Sequence, residues 1–197
     1  MKLPLALLAA FAAGCTTGKQ DQANPPAGDT VTTAASPAPR RIVPGLSEAM
    51  RSALDQFAAT FEPFAPEEYN PELAAYSASR QNQLLYQAKG DFNGDGLADL
   101  ALNGHDKTRE LLIVILSQPD SSYKVVPLKE KARQPLYNHD VGIFLTAIGP
   151  GPLNMSNGPL PRPDSLSYDG VVVNYGEAAS EVFYWTGTQF LQFFTGD

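Results

Sequence analysis

The sequence predicts an α+β domain in which an N-terminal helical segment packs on a mostly antiparallel β-sheet of about seven to eight strands. Three observations predict it. Between Leu46 and Phe61, apolar residues recur at three- and four-residue steps, the period of one helix face. From residue 84 onward the period shortens to that of strands, in runs rich in β-branched and aromatic residues and bounded by turn residues. Most links between those runs are short. Short links favour antiparallel neighbours, because a parallel pair needs a crossover of a dozen residues or more.

In chain order, the first element is a leader. Met1-Lys2 precedes an apolar run from Leu3 to Ala13, which falls short of the roughly 20 residues that a membrane-spanning helix needs. Residues 1–14 are therefore expected to be a signal peptide. The one cysteine, Cys15, follows Ala12-Ala13-Gly14, and this run of small residues resembles the bacterial lipobox, with Ala12 where that box usually has Leu. The resemblance implies lipidation of Cys15 and a lipid anchor in the membrane. Thr16 after the cysteine, rather than Asp, implies by the same resemblance the outer membrane of a Gram-negative envelope, with the domain in the periplasm. Ala10-Phe11-Ala12 is also an A-x-A cleavage pattern, which would instead leave Cys15 as a free thiol.

Residues 15–45 are rich in Thr, Ala, Pro, Gly and Gln, with no large apolar residue other than Val31 before Ile42. Such a composition cannot bury enough surface to offset ordering entropy, so a disordered tether is expected, reaching about 30 Å as a coil and roughly 90 Å if extended. Residues 46–197 remain for a single globular domain. Ser47 is placed to cap a helix over 47–61, with Pro63 beyond its end, and Asn70-Pro71 offers a second helix start. Strands are expected over 84–89, 97–102, 111–116, 123–128, 143–148, 171–175, 181–185 and 189–194. Between residues 149 and 169, Pro150-Gly151-Pro152 and Pro159-Leu160-Pro161-Arg162-Pro163 read as a long loop without strands and as a candidate contact surface.

Between the first two strand runs lies Gly90-Asp91-Phe92-Asn93-Gly94-Asp95-Gly96-Leu97-Ala98-Asp99. A hard cation such as Ca2+ needs six or more oxygens at about 2.3–2.6 Å, and a short segment supplies them only by turning tightly, which Gly94 and Gly96 permit by accepting positive φ. Asp91, Asn93, Asp95 and Asp99 would give side-chain oxygens and Leu97 its backbone carbonyl, with water or a neighbouring loop completing the shell. Position 12 is Leu102 and not the bidentate Glu of an EF-hand, so this is a differently closed loop between two strands.

The spacing Asp91-x-Asn93-x-Asp95-Gly96-x-x-Asp99 resembles the FG-GAP and VCBS-type repeats of integrin-like β-propellers and of many bacterial surface proteins, and it matches at every ligand position. It occurs once. Because a propeller needs several such repeats, the resemblance implies the calcium-binding loop alone and neither the propeller nor its adhesive function. The layout as a whole resembles small bacterial lipoproteins that carry a single GDFNGDG-type loop.

No enzyme active site stands out. The two histidines, in His105-Asp106 and His139-Asp140, have no H-x-x-x-H spacing and no G-x-S-x-G elbow beside them, so both read as loop residues, with His105 close enough in sequence to border the ion loop. Glu67-Glu68 reads as a solvated turn, and Gly149-Pro150-Gly151 lacks the lysine of a phosphate loop. Val182 to Trp185 and Phe190 to Phe194 suggest an aromatic hairpin, with Phe183 and Trp185 on one face and packing expected against the helix. The formal net charge of −7 argues against nucleic acid as a partner. The expectation is a membrane-tethered, non-enzymatic binding or assembly module of the bacterial cell envelope, stabilised by calcium, with an envelope protein or glycan as partner. The alternative is a tethered periplasmic hydrolase with the metal near its active site.

Overall fold

Ser47 starts the first helix as its side chain requires: its hydroxyl accepts the Met50 N–H at 3.1 Å, satisfying one of the donors that a helix start leaves open. The computed structural model describes residues 41–81, 83–133, 141–153, 162–176 and 179–195, all within one compact unit, Pro39–Asp197. The leader, Cys15, most of the tether, His139-Asp140 and the Pro159-Leu160-Pro161 stretch lie outside the described residues. Val43, inside the segment read as tether, is buried in the core, and the Leu46 N–H bonds its carbonyl.

Helix α1 (Glu48–Phe57) is shorter than the expected 47–61. Its last bonds close at Ala58, whose N–H reaches the Leu54 carbonyl, and Phe61 enters the core from non-helical backbone. The chain then forms the short strand β1 (Glu62–Pro63), a 3₁₀ turn at Pro66–Glu68 and helix α2 (Pro71–Ser79), capped by the Asn70 side chain on the Leu73 N–H at 2.9 Å.

Strands β2 (Gln87–Gly90), β3 (Asp99–His105), β4 (Arg109–Ser117) and β5 (Tyr123–Ala132) form one sheet with β1. Its order is β1-β3-β4-β5, and β2 lies end to end with β1 along the same side of β3. Strand β6 (Phe144–Ile148) belongs to a second sheet. Next come β7 (Gly151–Pro152) and β8 (Ser165–Leu166), a two-stranded ladder inside the segment expected to be loop. Strands β9 (Gly170–Asn174), β10 (Ser180–Trp185) and β11 (Phe190–Thr195) complete the second sheet in the order β11-β10-β9-β6. Every ladder is antiparallel, and the isolated bridge between Tyr69 and Val141 is parallel.

The strands thus divide between two main sheets, where a single sheet was expected. The unbroken apolar run of β4 shows why. Leu111, Ile113 and Ile115 pack with Met50 and Leu54 of α1, while Leu112, Val114 and Leu116 pack with Val171, Val173 and Phe183 of the second sheet. Successive side chains point to opposite faces, so a strand without polar alternation must be covered on both. The result is three layers, helices on the first sheet and the first sheet on the second. Burying each of these aliphatic side chains contributes about 1.5–3 kcal/mol. Among the described residues no helix is long and apolar enough to cross a membrane.

Candidate functional site

The Asp-rich segment is the hairpin connection between β2 and β3, closed by the pairing of Gly90 with Asp99. Asp91 organises it. One carboxylate oxygen accepts the N–H groups of Gly94 at 2.8 Å and Asp95 at 3.1 Å, and the other accepts that of Gly96 at 2.9 Å. Asn93 accepts the Asp95 N–H at 3.1 Å and donates its amide to the Asp95 carboxylate at 3.0 Å, while Asp95 in turn accepts the Leu97 N–H at 2.9 Å. These are nested Asx turns, in which short acidic side chains fold the backbone around themselves. Gly94 and Gly96 hold φ of +80° and +82°, the left-handed region that glycine occupies without steric cost.

Asp99 behaves differently. It is buried, at 2% exposure, and its two oxygens accept the Phe92 N–H at 2.9 Å and the Ser117 N–H at 2.8 Å, tying the loop to the end of β4. Burial pushes its carboxyl up to about 6 despite those two bonds, and the nearby charges of Asp95 and Asp91 push the same way. Among the described residues none of Asp91, Asp95 and Asp99 is ion-paired. Nor do three or more acidic, histidine or cysteine side chains there surround one point as a metal cage. The carboxylates face the loop's own N–H groups. Each carboxylate offers about four lone-pair positions, so these bonds leave acceptor capacity for a cation.

A neighbour that sequence reading did not name clamps this loop. Asp169, after β8, accepts the Asp91 N–H at 2.8 Å and returns its own N–H to the Asp91 carbonyl at 3.2 Å. Beside it, the Tyr168 ring lies on Gly94, where an added Cβ would come within 2.0 Å of the ring. Asp169 is 78 residues from Asp91, and no spacing rule joins them.

His105 does not border the loop. It ends β3, six residues from Asp99 and so about 20 Å away at roughly 3.3 Å per strand residue. Its Nε2 lies 3.2 Å from a Glu68 oxygen and 3.3 Å from an Arg133 nitrogen, and its ring meets Phe64 edge-on. Glu68 is therefore part of a half-buried ion cluster and not the solvated turn expected of it. It also accepts the Ala65 N–H at 2.6 Å. Beside His105, Asp106 takes the N–H groups of Thr108 and Arg109 at 2.8 and 2.7 Å, the Thr108 hydroxyl, and both Nε and Nη2 of Arg109. Burial alone would raise its pKa, but these donors outweigh burial and hold the carboxyl well below the usual carboxylate range.

The aromatic hairpin is β10 and β11. Phe183 packs between the sheets, whereas Val182, Tyr184 and Phe193 pack on the far face with Leu166. Its inner face therefore meets the first sheet and not the helix. Comparisons with known proteins return no match: no protein-family model, curated protein or solved structure matches this chain.

Proposed function

We propose that the protein is a lipid-anchored, non-enzymatic binding or assembly module of the bacterial cell envelope, stiffened by calcium at Asp91, Asn93, Asp95, Leu97 and Asp99. The observation that carries the calcium reading is the uncompensated charge at the loop. Three carboxylates stand within nine residues, one of them buried with its proton affinity raised, and no cationic side chain among the described residues pairs with them. At about 4 Å, two like charges cost roughly 4 kcal/mol at an effective dielectric near 20, a cost that a divalent ion reverses. The donor set of carboxylate, amide and carbonyl oxygens suits Ca2+ better than Mg2+, which demands a tighter octahedron and gives up water reluctantly.

The anchor reading rests on Leu3 to Ala13 and Cys15, and the single-loop resemblance to FG-GAP and VCBS-type repeats adds the envelope setting. In that setting the domain stands in the periplasm, held at the outer membrane by the acyl chains on Cys15. Replacing Cys15 with Ser tests the anchor by fractionation. The variant moves to the soluble fraction if the lipid is the attachment, and continued membrane association would contradict it.

A further inference from the structure

A cleft of about 610 Å³ opens between the β4–β5 edge of the first sheet and β9 of the second, and Asn103, Lys129 and Tyr175 line it. Its volume falls within the roughly 300–1,000 Å³ usual for small-molecule sites. Two features distinguish it from a gap between sheets. Asn103 is 97% buried, yet its Nδ2 has no hydrogen-bond partner among the described residues. A buried donor left unpaired costs about 1–3 kcal/mol, and a ligand oxygen or a bridging water in the cleft would remove that cost.

Behind the wall sits Glu181, its side chain fully buried. One of its oxygens binds both the Lys129 ammonium and the Tyr175 hydroxyl, the latter at 2.8 Å, while the other has no partner among the described residues. Lys129 also donates to the Tyr175 oxygen at 3.0 Å and lies over the Tyr175 and Phe183 rings. This buried carboxylate fixes two polar groups at the cleft. Burial would lower the Lys129 pKa, but its bonds to Glu181 and Tyr175 raise it overall, and burial raises that of Tyr175. Ammonium and phenol are both protonated at neutral pH.

We infer that this cleft binds a neutral polyhydroxylated ligand, a saccharide unit, through Asn103, Lys129 and Tyr175. The charges decide against simpler classes. The charged groups around it are already paired, Lys129 with Glu181, Lys131 with Glu110 and Glu130 with Arg109, so neither an anion nor a cation finds a free countercharge there. A wholly apolar ligand would leave the Asn103 amide unpaired. A hydroxyl group both donates and accepts, so it can use amide, ammonium and phenol together, and the half-buried Leu128 and Ile143 supply apolar surface for the C–H face of a sugar ring. The inference rests on the binding-module reading and names its ligand class, but it uses no residue of the calcium loop.

The test is an NMR titration of the full ¹⁵N-labelled chain carrying Cys15→Ser, with cellobiose, maltose and di-N-acetylchitobiose as probes and glucuronate and glucosamine as charged comparators. At least one neutral disaccharide is expected to shift the Asn103 side-chain amide and the Tyr175 backbone amide in a saturable way. The charged sugars should bind about tenfold more weakly, and Tyr175→Phe should weaken binding about fivefold or more while the remaining spectrum is preserved, as loss of one hydrogen bond would do. Saturable shifts centred on Trp185 and Phe190 would overturn the cleft and leave the module reading standing. No saturable shift with any neutral disaccharide would overturn the saccharide inference. The module reading itself fails on the separate fractionation and calcium measurements.

Discussion

The two ends of β3 carry the same residue type in opposite electrostatic states. Asp99 at one end and Asp106 just past the other are both buried, at 2% and 7% exposure. Asp106 receives two backbone N–H groups, a hydroxyl and a guanidinium, so its negative charge is matched by groups the chain itself provides. Asp99 receives two N–H groups and faces two further carboxylates. One end is finished internally, while the other lacks positive charge. A buried carboxylate is stable when its donors and countercharges offset desolvation, and the comparison locates where an external cation has most to contribute.

The largest expected effect is at the finished end. Asp106→Ala leaves the Thr108 and Arg109 N–H groups without their acceptor and the Arg109 guanidinium with Glu130 alone, and should cost about 3 kcal/mol in urea unfolding. A loss under about 1 kcal/mol would show that solvent replaces these bonds and that the contrast between the two ends is weaker than described.

Gly94→Ala sharpens the comparison from the loop side. The substitution meets both the positive φ of +80° and the Tyr168 ring, so it should cost about 2 kcal/mol and weaken any calcium response together with the fold. An unchanged melting temperature would mean that the Tyr168 contact is not made in solution.

Acidity separates the two carboxylates further. Asp99 is raised to about 6, so in chelator the folded state holds a proton that the unfolded state has released between about pH 4 and pH 6. Stability should therefore fall as pH rises through that window, by about 3 kcal/mol, and level off above it. The depressed Asp106 works in the opposite direction: its contribution is present above about pH 4 and is lost only as pH falls further. Asp99→Asn should flatten the slope between pH 4 and 6 in urea titrations, and a slope that survives would assign it to another group.

Much of the fold was legible because local physics fixes it. Ser47 and Asn70 announce their helices by capping, and the β4 run announces a strand. The end of α1 was not legible, because Phe61 keeps the helical apolar period while entering the core from a turn. The division into two sheets was equally hidden. Alternation says which face of a strand is buried, but not which strand lies beside it, although the unbroken run from Leu111 to Leu116 already demanded cover on both faces. At the loop, the carboxylates and glycines were legible from spacing, whereas Asp169 and Tyr168 come from a distant turn. The cleft is not legible in the sequence, because Asn103 on β3, Lys129 on β5 and Tyr175 just past β9 share no pattern. The distance of His105 from the loop was legible, since six residues of strand carry a side chain about 20 Å along the sheet.

The most direct measurement of the calcium account is a thermal melt of the wild type and of Asp95→Ala, each in chelator, in millimolar calcium and in millimolar magnesium. With a dissociation constant of about 10⁻⁴ to 10⁻³ M, calcium at ten times that value adds about 1.4 kcal/mol, a rise of roughly 3–6 °C for the wild type. Magnesium should raise the melting temperature less, and Asp95→Ala should lose most of the calcium gain. Equal melting temperatures for the wild type in chelator and in calcium would contradict the account and leave the Asp91–Asp99 segment a hairpin turn held by its own Asx bonds.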